Sequence, residues 1–238
     1  MKVDILAFAA HPDDIEISAA GTLMKHIDMG KTVAIVDLTQ GEMGSRGTID
    51  TRYAEAEKAS KIMGISQRVN LKMKDGFFEI SQANKLLIIE QIRHFQPSVV
   101  LANSVSDRHP DHGRASQLVS EACFLSGLVK IETTLNGENQ EKWRPKSVFH
   151  YIQDHYIKPD FVVDITPYME RKIDALQAYE TQFFNPNTKG PNTPISGEGF
   201  FEFLKGRWRE FGREISVDFA EGFTTERSIG VNDITEVK

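Results

Sequence analysis

Two short segments of this 238-residue chain carry the residue types that metal chemistry needs, and they repeat one pattern. His11-Pro12-Asp13-Asp14 is the first, and His109-Pro110-Asp111-His112, near mid-chain, is the second. In each, proline stands where a helix would begin, and the leading histidine falls at a strand-to-helix turn. Side chains three apart at a helix start project to one side. His11 and Asp14 can therefore meet at one point, as can His109 and His112. Two imidazoles and one carboxylate form a zinc set that leaves a fourth position for water. The same facial set also suits ferrous iron. One such pair alone is weak evidence, since an aspartate at a helix start also caps the helix. Two pairs at the ends of neighbouring strands are far stronger.

The surrounding pattern predicts those strands. Short apolar runs at Ile5–Ala10, Val33–Leu38, Val69–Leu71, Ser98–Ala102 and Val148–Ile152 read as five strands. Between them, helical periodicity covers Asp14–Met29, Arg52–Met63, Asn84–Phe95 and Asp111–Ser126. Gly30, Gly64, Pro97 and Gly127 mark the stops. Such alternation implies parallel pairing with right-handed crossovers. The expected fold is α/β, a Rossmann-like doubly wound and mostly parallel sheet of order 3-2-1-4-5. Strands one and four are then neighbours, and both motifs flank the crevice at the switch point. A dinucleotide needs Gly-x-Gly-x-x-Gly after the first strand. Here that turn reads Ala9-Ala10-His11-Pro12-Asp13-Asp14, which lacks glycine and would repel phosphate.

The length fits one domain over 1–238, with a core of about 1–165. Residues 166–238 form a C-terminal elaboration: a helix opened by Thr166-Pro167, an Asn/Pro/Gly-rich loop over Asn185–Gly197, and an aromatic helix over Phe200–Phe211. A net charge of −6 argues against a nucleic-acid partner. The single Cys123 excludes an intrachain disulfide and fits a reducing compartment. The first apolar run is too short for a signal peptide or membrane span. A cytoplasmic protein without a membrane partner is expected.

The chain resembles the LmbE-like, or PIG-L, family of N-acetylglucosaminyl deacetylases, from Val3 to roughly Gly222. Ala10-His11-Pro12-Asp13-Asp14-Ile15-Glu16 and Arg108-His109-Pro110-Asp111-His112 match its two zinc motifs. The stretch Asp37–Thr48, Arg52 and Tyr179-Glu180-Thr181-Gln182-Phe183 resemble the branch that deacetylates N-acetylglucosaminyl malate in bacillithiol synthesis. The resemblance implies zinc on His11, Asp14 and His112, with Asp13 as general base. It implies that His109 stabilises the oxyanion or protonates the leaving amine, and that Arg52 lines the substrate site. It also implies a small N-acetylated sugar as substrate and a homo-oligomer, hexamers being known among related proteins.

That chemistry is coherent. Zinc lowers the pKa of bound water to about 7 and polarises a carbonyl oxygen. Asp13, beside Asp14, is placed to take the water proton. Either Asp13, once protonated, or His109 can then supply the acid, with Asp107 or Asp111 hydrogen-bonding His109 to favour its cation. A malate aglycone needs cations, and Arg46, Arg52 and Arg108 all fall on loops at the carboxyl end of the sheet. Glu42 lies in the same loop and is a candidate for sugar hydroxyls. Other N-acetylglucosamine-containing sugars, and a non-catalytic sugar- or metal-binding module, are the alternatives. His26, His94, His150 and His155 read as structural or surface residues, and Cys123 as a buried small hydrophobe.

Overall fold

A computed structural model describes residues 1–188 and 190–237. In chain order its elements are β1 (Ile5–Ala9), α1 (Asp14–Ser18), α2 (Ala20–Asp28), β2 (Val33–Thr39), α3 (Ile49–Met63), β3 (Gln67–Met73), α4 (Gln82–Phe95), β4 (Val99–Ala102) and α5 (Pro110–Leu125). There follow β5 (Thr134–Leu135), β6 (Glu138–Asn139), β7 (Ser147–Tyr151), β8 (Phe161–Asp164), α6 (Met169–Gln177), α7 (Phe200–Glu214) and β9 (Ala220–Thr225). The main sheet has the order β3-β2-β1-β4-β7-β9-β8. Its first five strands are parallel, so the predicted order holds, with the predicted fifth strand as β7. Every residue of β1 and β2 is buried, as expected of strands covered on both faces.

Caps set the helix limits. Thr48 Oγ1 accepts a hydrogen bond from the Thr51 amide, and the Thr48 amide donates to Thr51 Oγ1 in return, so α3 starts three residues before the expected Arg52. Gly64, with φ of 80°, ends it in the left-handed region. The helix expected over Asp14–Met29 is instead two helices, broken at Ala19 (φ −139°, ψ 2°). The apolar spacing continues across this break, so periodicity does not mark it.

Two core layers sandwich the sheet. Leu6, Phe8 and Val36 pack with Ile92, Phe95 and Leu118 on the α4/α5 face. Ala7, Ala9 and Ile35 pack with Ile15, Leu23 and Ala175 on the α1/α2/α6 face. Each fully buried large apolar side chain contributes about 1.5–3 kcal/mol, so the central strands are the best-anchored part of the molecule. A third cluster joins α7 through Leu204 and Trp208 to Ile17, Ala59 and Tyr179.

Three features lie outside the sequence expectation. The β5–β6 hairpin turns through Asn136 and Gly137, both at positive φ, and the Asn-Gly pair was the available signal for it. β8 and β9 complete the sheet, with β9 antiparallel to both β7 and β8. The segment Ala220-Glu221-Gly222-Phe223 lacks an apolar run because Glu221 and Gly222 sit inside it. The C-terminal elaboration therefore contributes a strand to the interior of the main sheet. Among the described residues, no helix is long and apolar enough to cross a membrane.

Candidate active site

The parallel pairing of β1 with β4 sets the carboxyl ends of these strands side by side. His11 leaves the end of β1, and Asp13 and Asp14 open α1. His109 caps α5, where its Nδ1 accepts from the Asp111 amide, and His112 lies in the first turn. The three rings gather closely, with the His11 centroid 4.6 Å from His109 and 5.5 Å from His112. Asp14 lies between two of them: its carboxylate is 3.2 Å from His112 Nε2 and 3.6 Å from His11 Nδ1.

Each of these three side chains is held from behind. His112 Nδ1 is 2.6 Å from Asp107 Oδ2. His11 Nε2 is 3.1 Å from Asp75 Oδ1 and 3.3 Å from Asp111 Oδ2. Asp14 accepts from the His11 amide, Asn103 Nδ2 and Gln153 Nε2 at 3.0, 2.9 and 2.7 Å. Outer partners of this kind fix ring orientation and tautomer at metal centres. Asp107 and Asp111 were expected on His109, but their carboxylates reach His112 and His11 instead. The α5 turn puts His109 at the cap, where its Nδ1 meets backbone.

The electrostatics favour positive charge at this point. Burial works against the His112 cation, but Asp14 and Asp107 outweigh it and raise its pKa to about 9. Burial likewise opposes the His11 cation, and Asp111, Asp14 and Asp75 still hold it well above the usual imidazole value. Burial alone would raise the Asp14 carboxyl, yet the neighbouring imidazoles hold it well below the carboxylate range. Two imidazoles and a carboxylate converge here, with three further carboxylates outside them. That donor set fits a divalent cation, which would take the place of the protons. His11, His109 and His112, and His11, Asp75 and Asp111, are also close enough to group around an ion. The second grouping uses carboxylates already bound by the Met43 and Gly76 amides and by Arg114.

Asp13 is different in kind. It is 5% exposed and adopts φ of 120°, an uncommon conformation for a residue with a side chain. Arg52 holds it there, donating through Nη1 to Asp13 Oδ2 at 2.8 Å and to the Pro12 carbonyl at 2.6 Å. Burial pushes the Asp13 carboxyl up to about 7, against the pull of Arg52. The His109 pKa is lowered, by burial first and then by His11 and His112.

A cavity of about 320 Å³ opens over these groups. Arg46, Arg52 and Arg108 line it, as do Ile17, Gln153 and Ile195. Arg46 is engaged, donating to the Thr181 and Pro191 carbonyls. Arg108 pairs with Asp154, and its side chain is 43% exposed. Glu42 is not among the lining residues: its carboxylate accepts from the Asp75 and Gln40 amides and braces the turn that carries Asp75. A larger hollow of about 730 Å³ beside Phe124 and Arg144 contains none of this chemistry. His26, His94, His150, His155 and Cys123 all lie off the active-site cavity, and burial raises the Cys123 thiol. Sequence reasoning missed Asp75, Asn103 and Gln153. Asn103 directly follows β4, and Asp75 and Gln153 come two residues after β3 and β7, all at the carboxyl end of the sheet, which was the signal available.

The chain is similar to known proteins over much of its length. The family model "PIG-L: GlcNAc-PI de-N-acetylase" matches residues 6–123. The uncharacterised deacetylase YaiS of Escherichia coli is 35% identical over 64% of this chain and 83% of its own. The diacetylchitobiose deacetylase of Thermococcus kodakarensis is 29% identical over 75% and 70%. A probable N-acetyl-alpha-D-glucosaminyl L-malate deacetylase 2 of Bacillus anthracis is 28% identical over 75% and 81%. The crystal structure of the conserved protein TT1542 from Thermus thermophilus superposes with a TM-score of 0.86 at 34% identity, covering 99% of this chain and all of that one. The chain belongs to the PIG-L family, whose deacetylases are metal-dependent hydrolases of N-acetyl amide bonds.

Proposed function

We propose that this protein is a zinc-dependent deacetylase of N-acetylglucosaminyl malate, a step of bacillithiol synthesis, working in the cytoplasm as one domain per chain. A homo-oligomer is the expected assembly, with a hexamer as the form to test. The observation that carries the hydrolytic reading is the division of labour between adjacent carboxylates. Asp14 faces both His11 and His112, while Asp13 is withheld from them by Arg52.

His11, Asp14 and His112 would hold a zinc ion, which when bound would supply acidified water and a polarised carbonyl oxygen; ferrous iron suits the same donors. The chain's own residues do the rest. Arg52 occupies Asp13 Oδ2, leaving Oδ1 to take a proton from water. A carboxyl poised near neutrality is matched to that task and to returning the proton afterwards. His109 Nδ1 accepts from the Asp111 amide, so its neutral ring carries hydrogen on Nε2. With its pKa lowered, His109 serves as a neutral donor to the developing oxyanion, and Asp13 is the acid for the leaving amine.

For the malate carboxylates, Arg108 is the best-placed cation, because it lines the cavity and is half-exposed. The Bacillus anthracis relative supports this substrate, and the Thermococcus kodakarensis relative supports a simpler N-acetylglucosamine sugar as the second reading. The test is amine release from N-acetylglucosaminyl malate, N-acetylglucosamine and diacetylchitobiose, with metal content assayed, before and after chelation. The expected result is chelator-sensitive turnover with the malate conjugate preferred by kcat/KM. Preference for either simple sugar would discard the malate assignment and keep the mechanism.

A further inference from the structure

We infer that the buried pair Lys172–Glu221 is a positioning clamp that holds Asp13 and Asp14 in working geometry. This rests on the proposed roles of those two carboxylates. Neither side chain of the pair has any exposure, and their charged atoms are 2.6 Å apart. Lys172 comes from α6 and Glu221 from β9, far from the site motifs in sequence.

Both residues converge on the break at Ala19. α1 has only five residues, too few to stand as a helix without outside support. Its last carbonyls have no helical partner, and neither do the first amides of α2. Lys172 Nζ donates to the Glu16 and Ile17 carbonyls at 3.1 and 2.8 Å. Glu221 accepts from the Gly21 and Thr22 amides at 3.0 and 2.7 Å. A cation thus closes the end of one helix and an anion the start of the next, which suits the partial charge at each terminus. The junction has no slack: a Cβ on Gly21 would come within 2.7 Å of Ile165.

The connection to the site is one residue long. The Ile17 amide donates to the Asp13 carbonyl at 3.0 Å, and the Ile17 carbonyl receives Lys172. Asp13 is held at positive φ, a conformation that persists only when its surroundings over-determine it. Arg52 fixes its side chain from the cavity side; Lys172 fixes the following turn from below. Glu16, on the same turn, is tied separately to Arg68 and Tyr179.

A pair that only keeps the chain folded makes a different prediction. Replacing both members of a buried ion pair by apolar residues is often neutral for stability, whereas removing one leaves a buried charge. The variants are Lys172→Met, Glu221→Gln, the double Lys172→Met/Glu221→Met, and Glu221→Asp, which keeps the charge one methylene short. Tm, zinc affinity by chelator competition, kcat and KM are read for each. The single changes should lower Tm, and the double should recover most of it. If the pair is a clamp, the double variant keeps a kcat about tenfold to a hundredfold down, with weakened zinc affinity and KM little changed. Recovery of kcat together with Tm would overturn the clamp. If the double variant does not fold, Glu221→Asp decides: wild-type kcat and zinc affinity there also overturn it. Asp13→Asn is the control for the underlying reading. Should it turn over like wild type, the site assignment fails, whatever the clamp variants do.

Discussion

At the residue scale, Asp13 is set apart from Asp14 by its bond to Arg52 and its positive φ. A metal binder has no use for a second buried carboxylate held away from His11 and His112 by an arginine and kept at positive φ. A hydrolase does, because water must lose a proton as it attacks. Asp13→Asn keeps the side-chain shape and the place for Arg52, so zinc stoichiometry should remain at the wild-type value. Turnover should fall by about 10²–10⁴-fold, the usual worth of a positioned base. Equal inertness of wild type and variant, with sugar bound by both, would instead mark a binding module. Helix-start geometry brings His11 to Asp14 and places His112 one turn after His109, so the cluster was legible; the choice of His11, Asp14 and His112 as its zinc set is what the family resemblance implies. Asp75, Asn103 and Gln153 were not, since their contacts depend on which strand ends lie adjacent. Glu42 shows the limit from the other side: a carboxylate in the right loop turns away when backbone amides beside it need an acceptor.

At the element scale, periodicity located the helices and the parallel strands but was blind to what joins them. The break at Ala19 leaves the apolar spacing intact, so only the buried charges at Lys172 and Glu221 betray it. Arg46 is a similar case. It was expected on substrate, but its guanidinium ties the turn after α6 to the 185–197 loop through the Thr181 and Pro191 carbonyls. Thr193, Pro194 and Ile195 of that loop wall the cavity. Arg46→Ala should therefore loosen the loop while leaving the metal centre alone. The expected signs are faster proteolytic cutting within 185–197 and a KM raised about threefold to tenfold, the loss of one charged hydrogen-bonding group, with kcat changed less. A fall in kcat with unaltered proteolysis and KM would place Arg46 with the reacting groups instead.

At the scale of the whole molecule, the C-terminal region is the part the sequence concealed most. It reads as an appendage, yet its last strand enters the sheet between β7 and β8. Phe223 from this strand packs in the core beneath β1, stacking on Phe161 at 5.2 Å. Glu221, beside it, reaches across to α2. The chain thus closes its own active-site support with its last strand, a long-range contact that is slow to form and costly to lose. Two truncations separate this from a peripheral role. Ending the chain at Arg227 removes only the tail, where Ile229 and Val231 are about half-exposed. Such a protein should keep wild-type Tm and activity. Ending it at Ile215 removes β9, bares the edges of β7 and β8 to other chains, and strips the α2 start of Glu221. That protein should aggregate or show no cooperative melting transition. A soluble, active product from the shorter chain would mean that the five parallel strands suffice, and that the C-terminal strand only decorates them.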